Sequence, residues 1–518
     1  MVFLGNSTLP DGCYIILLMK IKLRDCKLRD WWFILIILLY FLSRLINLNR
    51  LPVFADEAIY IRWAQIMWHD AGQRFLPLSD GKPPLFMWLM IPFLKVIGDP
   101  LLAGRLLSVL SGFFTLIGSW FLSKKLFNQK TAFFSILLIV TSPFLLFYDR
   151  MALVDSFLTA LGVWSFYLAL LLFEKPKRDI AMFLGGLWGA AMLTKPTGVY
   201  FPILTPFLLL IYPFKKWMGK IKKLIIPGFL SSTFALGIYN VLRLSPAMHM
   251  ISIRSVDYLR SKMEILTQVF QYFLPTSKIM LSWLISWLTW PTALFLIISL
   301  FLGIKKRNFK IGVLFLWCLI PFLVQAVIGR IIYPRYFLFI TPFLLIIAGW
   351  CLEQLTRVKK FKFLAPAIII LLLIKPLIFD FLLLTKIEEA PLHKAEKEQY
   401  LETWAAGYGI KEASLFFQKQ AKKQKIYVGT EGYFGTLPDG LLIYLGGMEN
   451  IEIFGVGQPL GDIPFKLDEA VKKGPTYLLV NNIRLKFESD RLELIKAYPK
   501  PAGPKGQESL LLFKVKPE

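Results

Sequence analysis

The sequence predicts a polytopic α-helical membrane protein of about 11 to 13 spans, followed by a small C-terminal α/β domain. Three observations carry this. Of the 518 residues, 56% are hydrophobic, more than a water-soluble chain of this length carries. The apolar residues fall in long runs, many near the ~20 residues needed to cross the hydrocarbon core. Near residue 385 the runs stop and a mixed, charged composition takes over.

The runs at 31–48, 101–122, 129–147, 153–173, 222–242, 279–303, 309–329, 336–354 and 362–384 read as spans. Weaker runs at 181–194 and 197–214 are parted by TKPTG, and 83–98 is short enough to be either a span or a tucked hairpin arm. Basic clusters at 20–29, Lys124/Lys125/Lys130, 175–178, 215–223, 305–310 and 357–362 all fall on one side if they mark the cytoplasm. The expected organisation is then a cytoplasmic N-terminal segment at 1–30, a transmembrane domain at 31–385 and an extracytoplasmic domain at 386–518. Residues 49–82 and 243–278 form long outer loops. The expected location is the plasma or inner membrane, with the N-terminus inside.

In the tail, 408–423 reads as a helix with Ile410, Ala413, Leu415, Phe416 and Phe417 apolar. Segments 425–429, 451–455, 476–481 and 510–515 read as short strands, and 437–445 as a turn and helix. Strands alternating with helices indicate an α/β sandwich. The glycine-rich GTEGYFG at 429–435 lacks the spacing of a nucleotide-binding loop and reads as a tight turn or an acceptor contact.

The net charge of +26, from 60 basic and 34 acidic residues, belongs to the loops between spans. There is no zinc-finger spacing or free basic helix, so nucleic acid is not an expected partner. Cys13, Cys26, Cys318 and Cys351 make no disulfide framework. Residues 12–19 are apolar but too short for a cleavable signal peptide. No His/Cys/carboxylate cluster has metal-ligand spacing, so neither a metal nor another cofactor is expected to be required.

Charges at the outer ends of spans mark the candidate site. Asp56 and Glu57 open an amphipathic helix in ADEAIYIRWAQIMW at 55–68, where they either suit the helix dipole or supply a base. Its Ile59, Trp63, Ile66 and Met67 face reads as interfacial, and His69 as a surface residue. In DGKPPL at 80–85 two prolines stiffen the chain behind Lys82, holding a cation at headgroup depth. Asp149, Arg150 and Asp155 share a short turn. The first two are either a self-contained pair or substrate ligands, whereas Asp155 opens a span with no adjacent basic residue. Lys195, Arg254, Arg260, Arg330 and Arg335 are outward cations able to line an anion pocket with Lys82. Carboxylates and cations half in lipid fit an anionic lipid donor. With phosphate as leaving group no general acid is needed; cations stabilise the developing charge and a carboxylate activates the acceptor. A single displacement inverts the anomeric centre.

The ordered set Asp56-Glu57 then Tyr60, Lys82-Pro83-Pro84, Arg105, Asp155 and Lys195 resembles glycosyltransferase family 39 and its GT-C-fold relatives. These include protein O-mannosyltransferases and the lipid A aminoarabinose transferases. The resemblance covers most of residues 30–345. It implies an inverting transfer from a polyprenyl monophosphate sugar to an acceptor that is protein, lipid or glycan. Carried over, Asp56 is the carboxylate that activates the acceptor. Tyr60 and Lys82, with Arg254 or Arg260, are ligands of the carrier phosphate; Arg335 matches a basic residue of a late outer turn and Asp155 an acidic site residue. Gly81 stands where the aminoarabinose transferase has an acid, and Ile59 where it has an Arg, which puts lipid A specificity in question. The alternative reading is a transporter or flippase for a lipid-linked or anionic substrate, but charges at one end of the spans and the lack of an internal repeat weigh against it.

Overall fold

The computed structural model describes residues 31–358, 363–504 and 506–517. The expected N-terminal segment 1–30, with its basic cluster, Cys13 and Cys26, lies outside these residues. So does most of the basic stretch 357–362.

The apolar runs are helical because in hydrocarbon each backbone amide must bond within its own segment. Among the described residues six helices are long and apolar enough to cross a membrane: Pro100–Leu126, Val154–Glu174, Phe214–Leu244, Phe309–Ile328, Pro334–Arg357 and Ala365–Thr385. The number is eight if two bent pairs each count as one span. This is fewer than the sequence predicts. Trp31–Leu45, Leu85–Val96 and Pro196–Ile211 are apolar but short. Two expected spans are also broken. The run 129–147 bends by 60° between Gln129–Val140 and Pro143–Asp149, where Pro143 starts the second piece. The run 279–303 turns by 107° at Thr289, whose φ of 65° cannot continue a right-handed helix. Elsewhere helix ends follow local rules. Asp99 caps Pro100–Leu126 by accepting from Leu101 N and Leu102 N at 3.0 and 3.1 Å, with Pro100 in the first position.

Pro100–Leu126 packs on Val154–Glu174, and Thr341–Arg357 on Gln129–Val140. Trp317, Phe166, Phe201 and Phe343 pack ring against ring in the interior. Large apolar side chains such as Ile225, Phe229, Ile297, Phe301 and Ile370 stay exposed on the outward helix faces, as lipid contact requires.

After Thr385 the C-terminal region forms a five-stranded mixed sheet: β1 (Ile426–Thr430), β2 (Ile451–Gly455), β3 (Thr476–Asn481), β4 (Leu492–Pro499) and β5 (Ser509–Val515), in the order β2-β1-β3-β5-β4. β1 pairs in parallel with β2 and β3, and β5 runs antiparallel to both its neighbours, β3 and β4. β1 and β3, buried along their whole length, were legible as apolar runs. β4, mostly solvent-facing and rich in charge, was not, and neither was the helix Phe465–Lys473. On Ile410–Ala421 the core side is Ile410, Ala413 and Phe417; Leu415 is exposed.

The sheet region is fastened to the helical bundle. Phe54 and Ala406 form an antiparallel bridge, with Ala55 N donating to Ala405 O at 3.0 Å and Gly407 N to Val53 O at 2.9 Å. The Asp439–Leu445 helix packs on Ala55–His69, and Gln65 Nε2 donates to Ile443 O at 2.9 Å. On Ala55–His69 the Ile59, Trp63 and Met67 side chains, expected at the interface, are buried in protein. Its Arg62 and Gln65 lie against the C-terminal region, and the helix also packs on Leu85–Val96.

Candidate active site

The site is built where loops between helices meet the C-terminal region. Phe54 ends the extended lead-in, and Asp56 sits in the first turn of Ala55–His69. Its Oδ2 accepts from Arg335 Nη2 at 2.7 Å, and its Oδ1 lies 3.7 Å from Lys82 Nζ. Burial pushes the Asp56 carboxyl up, but the Lys82 and Arg335 cations prevail and hold it below the ordinary carboxylate range. Lys82 Nζ also lies 3.2 Å from Asp80 Oδ2, 5.2 Å from the Tyr60 ring centre and 5.6 Å from that of Trp63. Burial pulls the Lys82 ammonium down; Tyr60, Asp56 and Asp80 outweigh it and raise its pKa. Gly81, with φ of 68°, makes the tight turn that swings Lys82 back over Tyr60.

A second pair stands beside the first. Lys195 Nζ lies 2.7 Å from Asp155 Oδ1 and 4.0 Å from the ring centre of Tyr336, the neighbour of Arg335. Its charge also acts on the Asp56 carboxyl. The structure thus gathers Asp56, Tyr60, Lys82, Asp155, Lys195 and Arg335 at the end of the bundle that carries the C-terminal region. Arg254 reaches this cluster at one remove: its guanidinium is held by Asp80 and, at 3.1 Å, by Asp257.

The other expected residues are placed elsewhere. Glu57 and Arg105 are fully buried and satisfy one another. Glu57 Oε1 accepts from Arg105 Nε at 2.8 Å and Ala152 N at 2.7 Å; Oε2 accepts from Arg105 Nη2 at 2.8 Å and Phe54 N at 3.0 Å. Arg105 donates further to the carbonyls of Leu48, Leu51 and Pro52. With every polar atom of the pair engaged by protein, its geometry is that of a clasp at the root of the site. Asp149 and Arg150 do not pair with each other. Asp149 Oδ2 faces Arg44 at 3.5 Å and Oδ1 accepts from Ser156 at 2.9 Å. Arg150 donates to the carbonyls of Ser43, Ile46 and Asn47, closing the end of Trp31–Leu45. Arg260 is held by the Gly329 carbonyl, with its guanidinium 3.7 Å from the Tyr272 ring centre, and Arg330 by Glu264. His69 is exposed and stacks on Trp68.

Several participants were not foreseen. Asp80 lies against Lys82 at 3.2 Å, and a charged neighbour of Lys82 was visible in the sequence. Trp63 and Tyr336 read only as apolar or interfacial. Tyr400, which accepts from Arg335 Nη1 at 3.3 Å, comes from the charged segment after the last long helix, where no local pattern marks it. Among the described residues no group of three or more His, Cys, Asp or Glu side chains is placed to hold a metal ion.

Against known proteins, residues 81–239 match the sequence profile of the dolichyl-phosphate-mannose-protein mannosyltransferase family. No curated protein matches the sequence. Among solved structures, ArnT from Cupriavidus metallidurans bound to undecaprenyl phosphate is similar at a TM-score of 0.58 and 16% identity, covering 94% of this chain and 98% of ArnT. The apo form of the same protein gives 0.56 and 15%, with the same coverage. The Archaeoglobus fulgidus oligosaccharyltransferase tethered to an acceptor peptide gives 0.51 and 11%, covering 87% of this chain and 69% of that one. Taken with the helical bundle and the C-terminal mixed sheet, these matches show that the chain is a multi-pass helical membrane protein with the GT-C-like fold of ArnT, and that its residues 81–239 are similar to the dolichyl-phosphate-mannose-protein mannosyltransferase family.

Proposed function

We propose that the protein transfers a sugar, with inversion, from a polyprenyl monophosphate to an acceptor on the outer face of the plasma or inner membrane. The observation that carries this reading is the Asp56 carboxylate held between Lys82 and Arg335, beside the Asp155–Lys195 pair. Each part has a task. The acceptor hydroxyl attacks the anomeric carbon and its proton passes to Asp56. The bond from that carbon to the phosphate oxygen breaks, and the electron pair stays on the phosphate, where Lys82 and Arg335 neutralise the new charge. A phosphate that shares these two cations weakens their electrostatic hold on Asp56 while the Arg335 hydrogen bond keeps it in place, and so makes it a better base. Tyr60 and Trp63 shelter Lys82, and Lys195 with Asp155 borders the pocket. Arg254 tunes Lys82 through Asp80.

ArnT was solved with undecaprenyl phosphate and the archaeal relative with an acceptor peptide. An isoprenoid carrier of this class is the donor proposed here, and the acceptor is protein, lipid or glycan. The proposed orientation puts the N-terminus in the cytoplasm and the C-terminal region outside, sharing one aqueous face with the cluster. The gathering of charges at one end of the bundle favours transfer over transport, which places charges near the midplane. The test is mass spectrometry of envelope glycoconjugates from cells with the protein, without it, and with Asp56→Asn. A sugar-sized mass lost in both the deletion and the variant supports the reading; identical profiles in all three refute it.

A further inference from the structure

Tyr400 is a buried, polar group that the proposed reaction does not use. Its ring is wedged between Phe54, at 4.6 Å between centroids, and Phe147, at 5.2 Å. Its hydroxyl accepts from Arg335 Nη1 at 3.3 Å and donates to Tyr148 Oη at 3.4 Å. Arg335 in turn holds Asp56 at 2.7 Å and lies over the Phe54 ring at 5.4 Å. Five to seven residues further on, the same stretch of chain bridges Val53–Ala55, the lead-in to Asp56. Four residues before it, Glu396 Oε1 accepts from the Trp287 indole at 2.8 Å, so the segment is anchored on both sides of the tyrosine.

We propose that Tyr400 is a positioning residue for transfer: its hydroxyl fixes the Arg335 guanidinium, and through it the Asp56 carboxylate. The segment 396–407 thereby completes a site whose charged residues all belong to the helical bundle. A guanidinium has five donors on a planar fork, and one acceptor leaves it free to rotate. Here Asp56 takes one nitrogen and Tyr400 the other, so both ends of the fork are held. Phe54 and Phe147 hold the Tyr400 ring, and the Tyr148 hydroxyl accepts its hydrogen bond. The link reaches from the C-terminal region to the proposed base without a flexible step. This inference rests on the transfer reading above and adds a residue to it.

The test uses full-length protein reconstituted with membranes of the source cells from which it has been deleted, which carry the native donor and acceptor. The rate of product formation is measured per folded molecule. Added undecaprenyl phosphate serves as the inhibitor that probes carrier binding. Tyr400→Phe keeps the ring and removes the hydroxyl. Its rate is expected to fall about 10- to 100-fold, the range that misplacement of a catalytic group produces. Its inhibition midpoint is expected to stay within about threefold, because Lys82 is untouched and Arg335 keeps its charge and its Asp56 contact. Tyr498→Phe, in the same region and packed on Gly409, stays within about twofold. A Tyr400→Phe rate equal to that of the parent, or a loss fully explained by a smaller folded fraction, overturns the inference alone. No product from the unaltered protein sinks the transfer reading and the inference with it.

Discussion

Asp56 and Arg335 are 279 residues apart in sequence and share a 2.7 Å charge-assisted hydrogen bond at the mouth of the bundle. The first stands at the start of a helix, and the second in a short 3-10 segment before the Thr341–Arg357 helix. Asp56 is engaged on both oxygens, by Arg335 and by Lys82, and this arrangement sets the expectations below.

Asp56→Asn removes the proposed base while keeping size and hydrogen-bonding capacity. The rate of transfer is expected to fall by about 10²- to 10⁴-fold, the usual contribution of a positioned base. Membrane insertion and yield stay as in the parent. Initial rates in reconstituted membranes check this, and a variant within tenfold of the parent removes Asp56 from the role of base.

Lys82→Ala acts on the carrier. The inhibition midpoint for undecaprenyl phosphate is expected to rise by about tenfold or more, the loss of a charge-assisted contact of roughly 1.5–3 kcal/mol. Sensitivity to acceptor concentration changes far less. An unchanged midpoint means that Lys82 does not touch the phosphate.

Glu57 and Arg105 are expected to affect folding. Both are fully buried, and Arg105→Ala leaves an unpaired carboxylate with Ala152 N and Phe54 N as its remaining donors. Breaking such a pair costs about 3–5 kcal/mol. Thermal unfolding followed in detergent should show the loss, together with a lower yield of monodisperse protein. A variant of parental stability that has lost transfer would instead place the pair in the chemistry.

The pH profile follows from the cations around Asp56. The base works deprotonated, so activity falls as pH falls through its pKa. In the free protein Lys82 and Arg335 hold that pKa below the ordinary aspartate value of about 3.9. The acidic limb of kcat/KM is therefore expected below pH of about 4. The limb of kcat, which reports the complex in which phosphate shares the two cations, is expected higher. Coincident limbs in the two profiles would argue against a base whose pKa rises when the donor shares its cations.

Much of the site lay open in the primary sequence. Lys82 is marked by the two prolines that follow it, Asp56 by the helix it opens, and Asp155 by standing at a span entrance without a basic neighbour. Such residues are conspicuous because charge beside hydrocarbon is costly and rarely idle. The buried strands β1 and β3 were legible for a related reason: a short run of apolar residues outside a span has few other places to go.

Which charges meet was another matter. Adjacent in sequence, Asp56 and Glu57 project from successive positions of one helix, about 100° apart. One therefore faces the cluster and the other the Arg105 clasp, and only the packing of Pro100–Leu126 against the lead-in decides which. Asp149 and Arg150 part company in the same way. Tyr400 carried no local signal, because its role depends on a chain that returns from beyond the last long helix to lie beside Phe54. Composition and periodicity determine that this chain lives in a membrane, where its apolar runs lie and which ionisable groups stand at their ends, since those are local costs of transfer from water. Partnership between groups hundreds of residues apart is settled by helix rotation and docking, and so belongs to the tertiary structure.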